Sequence, residues 1–352
     1  MILTIMLAAV YVPGNEKLVL WKNTNPSREF EDDEILLKVQ VAATGVGHSD
    51  VCILDGGSLE KRSFVLGHEG CGIRVRFGFK VDKHAVREGK LHSFLLVDPR
   101  VHGMNGFPAL YSGLGFGPDG AFAEYIIATA DALVPVVSPK AAVIASDAGM
   151  TAYHAVKTTA EVQVKRGDKV LILGIGGLGH LAVQYAKHLV YVCDFKPAAR
   201  KLALDLSAEI AFDLIQLADK TATGFTVNKT IDFVANAQTF NLAMAALRGN
   251  DINFPSNPIL VLVSLVGTLL EYFADIHLRH YRLGSADPPE LVRNLFAKSH
   301  VRAHHSGPLE KVSEVIDQVR ASIIVGHKSY RPSLGHFQLS YHFGLVSVYL
   351  DG

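Results

Sequence analysis

Apolar and polar positions alternate differently in the two halves of this chain. Up to about residue 150 the apolar residues come in short β-like runs, Ile35 to Val41, Phe94 to Val97 and Ala123 to Ile127, separated by Gly, Pro and Asp. This texture predicts an irregular, mostly β region. The opening MILTIMLAAVYV lacks a basic flank and ends in a turn at Tyr11-Val12-Pro13-Gly14-Asn15, so it predicts a first strand in place of a signal peptide. From Tyr153 to about residue 295, strand-like runs at Val170 to Leu173, Tyr191 to Cys193, Thr230 to Val234 and Ile259 to Val263 alternate with helical ones, of which His180 to Leu189 is the first. Such alternation predicts a parallel sheet covered on both faces. Pro308 to Ile323 carries apolar residues at i, i+3, i+4 and i+7 and predicts an amphipathic helix packing back on the first region. Residues 331–352 show no helical period.

The most informative segment is VLILGIGGLG at Val170 to Gly179, where Gly174, Gly176 and Gly179 stand in G-x-G-x-x-G spacing after a predicted strand and before a predicted helix. In such a turn the first glycine permits a sharp bend, the second lets the backbone approach a pyrophosphate, and the third allows close helix packing. Phosphates then meet the positive end of the helix dipole and the backbone N–H groups around Gly177 and Leu178. Asp194 lies twenty residues beyond Gly174, at the end of the next predicted strand. A carboxylate there accepts hydrogen bonds from a ribose and repels a 2′-phosphate, which points to NAD over NADP.

Composition changes the picture mainly by exclusion. The 352 residues suffice for two domains, and 34 basic residues balance 34 acidic ones, which offers nothing to nucleic acid or to a membrane surface. A neutral small molecule is the expected partner. Cys52, Cys71 and Cys193 are scattered without C-x-x-C spacing, which predicts a reducing, cytoplasmic setting. The longest apolar stretch, Ile259 to Leu270, is too short to span a bilayer.

Four further segments, together with the glycine turn, resemble the medium-chain dehydrogenase/reductase family and specifically its zinc-type alcohol dehydrogenases. They are Thr44-Gly45-Val46-Gly47-His48-Ser49-Asp50, Leu66-Gly67-His68-Glu69-Gly70, Gly120-Ala121-Phe122-Ala123-Glu124-Tyr125 and Asp147-Ala148-Gly149-Met150-Thr151-Ala152-Tyr153. The resemblance implies an α/β protein: a GroES-like, mostly β catalytic domain over residues 1–150, completed by about 296–352, and a doubly wound Rossmann domain over 151–295 with a substrate cleft between them. It also implies NAD as cofactor and a homo-oligomer, dimer or tetramer.

The same resemblance assigns roles to individual residues. Ser49 stands where a hydroxyl relays the substrate proton, His48 where a residue approaches the cofactor pyrophosphate, and Asp50 where a carboxylate orients the metal-binding histidine. Thr151 would lie against the nicotinamide, and the backbone around Leu265-Val266-Gly267 would bond the carboxamide. His327 stands where a basic residue meets phosphate. The catalytic zinc positions fall on Gly47, His68 and Asp147, and Gly47 has no side chain to supply the expected thiolate. Glu69 and Cys52 are the candidate substitutes, so zinc is left open. The stretch from Val97 to Asp119 contains no cysteine, which removes the family's structural zinc lobe.

The function these residues imply is hydride transfer between an alcohol and a carbonyl with impaired or absent zinc. Two alternatives share the cofactor motif: a zinc-independent reductase of an activated alkene or iminium, and a protein that binds NAD(H) without catalysis.

Overall fold

Strand pairing builds two units. The computed structural model describes residues 6–24, 34–57, 61–80, 91–94, 113–135, 143, 146–156, 167–186, 189–248, 258–263, 277–281, 309–321, 327–330 and 345–347, and the chain divides into Met1–Met150 with Gly284–Gly352, and Thr151–Leu283. In the first unit β1 (Met6–Tyr11) lies between β2 (Val19–Thr24) and a two-residue strand, Phe64–Val65, to form a small antiparallel sheet. Ala8, Ala9 and Val10 are fully buried there, as expected for an apolar first strand.

The larger sheet of this unit is centred on β3 (Glu34–Gly45), whose far end runs directly into the short helix α1 (His48–Cys52) and a π-helical turn over Ile53–Gly57. With Phe64–Val65 counted as β4, β3 pairs with β5 (Glu69–Phe77), which in turn pairs with β6 (Leu91–Phe94); β7 (Tyr125–Thr129) pairs with the other edge of β3, and β8 (Leu133–Pro135) with β6. Of the strands expected at Phe94 to Val97 and Ala123 to Ile127, the first is described only at Phe94, which ends β6, and residues 95–97 lie outside those described. The second begins two residues later, because Ala123 is engaged in an isolated bridge to Ala8.

The division between units falls within α2 (Ala148–His154). The second unit is a single parallel sheet of β9 (Lys169–Leu173), β10 (Leu189–Cys193), β11 (Ile210–Phe212), β12 (Lys229–Asp232), β13 (Ile259–Val263) and β14 (His277–Tyr281), in the spatial order β11-β10-β9-β12-β13-β14. That is the 3-2-1-4-5-6 order of a Rossmann sheet, with its topological switch between β9 and β12. Helices α3 (Gly179–Ala186), α4 (Pro197–Asp205), α5 (Leu214–Ala222) and α6 (Ala237–Arg248) connect the strands. Pro197 starts α4 at a position where no N–H is needed, and Asp213 and Gln216 cap α5 reciprocally at 2.8 and 3.0 Å.

At the central strands β9 and β13 both faces of this sheet are buried. Leu171, Leu173, Leu260 and Leu262 pack with Phe240, Ala243, Met244 and Leu247 of α6 on one side, while Val170 and Ile172, pointing the other way, are equally buried. Each such side chain contributes roughly 1.5–3 kcal/mol by leaving water. Two expected boundaries move. Leu189 opens β10 instead of closing a helix, because Leu189 to Cys193 pair residue for residue with Lys169 to Leu173. The strand expected through Val234 ends at Asp232, whose Oδ1 accepts the N–H groups of Val234 and Ala235 at 2.9 Å each and turns the chain.

The amphipathic helix predicted near the C-terminus is present as a 3-10 turn, Leu309–Lys311, followed by α7 (Val312–Arg320), with Val312, Val315, Ile316 and Val319 buried. It belongs to the first unit, where Arg320 pairs with Asp55 at 2.8 Å and Lys17 with Asp317 at 3.0 Å. Beyond it β15 (His327–Tyr330) pairs with β3 and β16 (Leu345–Ser347) with β15, extending the large sheet.

Candidate functional site

Among the described residues each unit carries a candidate site. In the second it is the turn that leaves β9 at the topological switch. Gly174 has φ +81°, a left-handed conformation that favours glycine, and its N–H donates to the Cys193 carbonyl at 3.0 Å. A Cβ on Gly179 would overlap the carbonyl oxygen of Gly174, so the third glycine is required by the first. A Cβ on Gly176 would meet nothing within 4 Å. The middle glycine therefore borders open space at the mouth of α3, which is the cradle a pyrophosphate needs. Gly177 and Leu178 form the turn into α3, where the Gly176 carbonyl accepts the His180 N–H at 3.1 Å and also lies 2.8 Å from His180 Nδ1.

Asp194, just past β10, is joined to this turn. Its Oδ2 accepts the Ile175 N–H and its Oδ1 the Lys196 N–H, each at 2.8 Å, which fixes the carboxylate plane. A carboxylate has about four acceptor positions, so two remain for ribose hydroxyls. Arg200 Nη1 donates to the carbonyls of Asp194 and Phe195 at 2.8 and 3.0 Å, and Lys196 Nζ lies 5.2 Å from the Phe195 ring centre. Lys196 also interacts electrostatically with the Asp194 carboxylate.

Sequence reasoning missed two neighbours of the turn. Phe195 and Val234, each two residues past the end of a strand adjacent to β9, are 63% and 46% exposed. Exposed apolar side chains on either side of a polar turn offer faces for a flat aromatic ring; the signal available was an aromatic directly after the acidic residue. Thr151 is fully buried in α2, while Val266 lies outside the described residues.

The first unit gathers a set of titratable groups. Gly67, at φ +99° against Phe122, delivers His68 into the interior, and β3 and α1 bring in Gly47, Ser49 and Asp50. Asp50 is fully buried: its Oδ2 accepts the Gly47 N–H at 2.8 Å and its Oδ1 lies 3.0 Å from His68 Nδ1. On the other side His68 Nε2 lies 3.5 Å from Asp147 Oδ2. Candidate ligand atoms of His68, Glu69 and Asp147 all lie within 4.8 Å of one another, and all three residues are buried.

Glu69 is held at both ends. Its Oε1 accepts the Ala148 N–H at 2.9 Å and its main-chain carbonyl accepts Thr44 Oγ1 at 2.7 Å. Burial pushes the Glu69 carboxyl well above the ordinary carboxylate range, with Asp147 and Asp50 adding to the effect. Burial alone would lower the His68 imidazole, and the carboxylates of Asp50 and Asp147 outweigh it, so His68 is raised well above its usual value. Ser49 is buried on α1 and His48 is exposed beside it. Cys52 is only half-buried and is not one of the clustered groups; burial, then Asp55 and Asp50, raise its thiol.

These residues fit a divalent ion by the chemistry of their donors, one imidazole and two carboxylates with an open position, provided the side chains close by about 1 Å to reach bond lengths near 2.0–2.2 Å. They do not reproduce a thiolate site, since Gly47 brings only its backbone.

Residues 31–138 match the alcohol dehydrogenase GroES-like domain. An alcohol dehydrogenase of Geobacillus stearothermophilus is 34% identical over 199 residues, 53% of this chain and 57% of that protein. One from Moraxella sp. (strain TAE123) is 37% identical over 164 residues, 44% and 47% of the two chains. The chain thus spans about half the length of the curated relatives it matches. Among solved structures, a thermostable alcohol dehydrogenase from Pyrobaculum aerophilum superposes with TM-score 0.78 at 20% identity, covering 93% of this chain and 99% of that one. Acetophenone reductase from Geotrichum candidum NBRC 4597, in complex with NAD, gives 0.74 at 24% identity, covering 91% and 95%. These likenesses establish the fold.

Proposed function

We propose that this chain, a member of the medium-chain dehydrogenase/reductase family, is an NAD(H)-dependent oxidoreductase that moves a hydride between a small alcohol and its carbonyl. The observation that carries this reading is the glycine turn at the end of β9, open at Gly176 and tied through Ile175 to the Asp194 carboxylate. NAD would supply the hydride chemistry; the backbone N–H groups at the start of α3 bind its phosphates and Asp194 its adenosine ribose. Phe195 and Val234 hold the adenine between apolar faces. Thr151 and the backbone near Val266 are assigned to the nicotinamide end.

The catalytic roles belong to the first unit, which we take as residues 1–150 with the C-terminal part from about 296, the Rossmann domain being 151–295. Ser49 carries the substrate hydroxyl proton and His48 passes it outward or contacts the cofactor phosphates. A dication held by His68, Glu69 and Asp147 would polarise the substrate oxygen as a Lewis acid. Asp50 fixes the ring of His68 so that Nε2 faces the other two ligands. The missing thiolate at Gly47 favours a second reading, metal-free reduction of an already electrophilic alkene or iminium, and a third in which NAD(H) is bound without turnover. Small-molecule chemistry fits the balanced charge, and among the described residues no helix is long and apolar enough to cross a membrane. We assign the chain to the cytoplasm, where its three cysteines stay reduced, and to a homo-oligomer by analogy with its family.

The test is a panel of primary and secondary alcohols, and the corresponding carbonyls, with NADH followed by absorbance and its binding by fluorescence. Hydride transfer to a carbonyl supports the proposal. NADH binding without turnover on alcohol, carbonyl, alkene or iminium substrates replaces it with the non-catalytic reading.

A further inference from the structure

We infer that the metal centre of this chain is thiolate-free, with Glu69 as the third protein ligand beside His68 and Asp147, and that Gly45 is the residue that makes room for it. The inference rests on the oxidoreductase reading above, and it names the donor set and the class of ion.

Placement comes first. Among the described residues Asp50, His68, Glu69 and Asp147 are each at most 2% exposed, and candidate ligand atoms of the last three lie within 4.8 Å of one another. One nitrogen and two carboxylate groups gathered at that spacing away from water suit a divalent ion, with Asp50 placed against the His68 ring from behind.

Geometry then selects Glu69 over the alternatives. Gly47 has no side chain, and Cys52 is not among the clustered groups. Glu69 is fixed through Ala148 N–H and Thr44 Oγ1, and a Cβ at position 45 would collide with its Oε2. Gly45, which pairs with Glu69 across β3 and β5, therefore sets the place of this carboxylate.

A donor set of one nitrogen and two oxygens is harder than one containing sulfur. Thiolate favours zinc, whereas carboxylate and water suit manganese and its neighbours. The general affinity order still places zinc above manganese, but without a thiolate the margin narrows and the ion exchanges more readily. Mn²⁺ and Co²⁺ should therefore load the metal-stripped chain too, with Mn²⁺ bound more weakly than Zn²⁺ by a smaller margin than at a thiolate site.

The experiment titrates the stripped full-length protein with Co²⁺ by absorption and with Mn²⁺ by paramagnetic resonance, with Zn²⁺ as competitor, and measures NADH binding on the same samples. The wild type should bind Co²⁺ with no sulfur-to-cobalt charge-transfer band. Glu69→Gln, nearly isosteric, and Gly45→Ala should each weaken Co²⁺ binding by about 10–100-fold or more, at least the loss seen when outer-shell partners are removed. Gly47→Cys should introduce the charge-transfer band and raise the zinc-to-manganese affinity ratio about tenfold or more. A charge-transfer band in the wild type would make Cys52 the ligand and overturn the inference, as would undiminished Co²⁺ affinity in Glu69→Gln or no ion binding at all. NADH bound by a chain that takes no ion overturns this inference and leaves the oxidoreductase reading standing; ion bound by a chain that takes no NADH does the reverse.

Discussion

His68 Nδ1 lies 3.0 Å from Asp50 Oδ1, and the other oxygen of the same carboxylate holds the N–H of Gly47 at the start of α1. One side chain thus orients the histidine and satisfies an N-terminal N–H of the short helix that carries Ser49. Asp50→Asn keeps the shape but replaces one acceptor oxygen with a donor amide. It should lower Co²⁺ affinity about 10–100-fold by freeing the ring, and destabilise the chain by about 1 kcal/mol through the weakened cap. Metal titration and thermal unfolding check the two effects separately; unchanged metal affinity would remove Asp50 from the site.

Gly176 and Gly179 should respond oppositely to substitution, although both belong to one motif. A side chain at Gly176 enters open space, so Gly176→Val should fold normally and lose NADH binding. A side chain at Gly179 strikes the Gly174 carbonyl, so Gly179→Ala should cost about 1–3 kcal/mol of stability, the usual range for overpacking. Circular dichroism melts and NADH fluorescence on both variants decide this, and a folded Gly176→Val with full NADH affinity would displace the site.

These contrasts show which features the sequence made legible. The glycine turn was readable because its demands are local: a strand, three glycines and an acid at fixed spacing. Gly45 was not, because its reason for being glycine is Glu69, twenty-four residues on and across a sheet pairing that spacing alone does not reveal. Glu69 was visible only as the neighbour of His68; its selection depends on Ala148, seventy-nine residues away. Boundaries shifted for the same kind of reason. Leu189 reads equally well as the last apolar position of a helix or the first of a strand, and its partner Lys169 decides.

Cys193 stands next to Asp194 yet should be chemically silent. Burial first, then the charges of Asp194 and Asp213, push its thiol up to about 12, so at pH 8 it is almost entirely protonated in the folded chain. Native protein treated with iodoacetamide at pH 8 should leave Cys193 unmodified, and unfolding in urea should expose it to complete alkylation. Peptide mass spectrometry reads the difference. Rapid native labelling at Cys193 would mean that β10 opens readily and that Asp194 is not held as described.

Cofactor choice should follow Asp194, with a complication that the hydrogen bonds make explicit. A 2′-phosphate about 4 Å from this carboxylate would be repelled by about 4 kcal/mol per unit charge at an effective dielectric of 20, more than the roughly 1.4 kcal/mol that makes a tenfold difference in affinity. NADPH should therefore bind at least about tenfold more weakly than NADH. Lys196 offsets part of this, since it interacts electrostatically with Asp194, while the Arg200 guanidinium is bonded to the carbonyls of Asp194 and Phe195. Asp194 also holds the Ile175 N–H inside the glycine turn, so Asp194→Ala removes a support as well as a charge. Its NADH affinity should fall while its NADPH affinity rises or stays level, closing the gap from both sides. Asp194→Asn retains an acceptor for Ile175 and should lose less NADH affinity while narrowing the discrimination. Fluorescence titration of both reduced cofactors against the wild type and the two variants tests each step, and equal or tighter NADPH binding by the wild type would remove Asp194 from the ribose site.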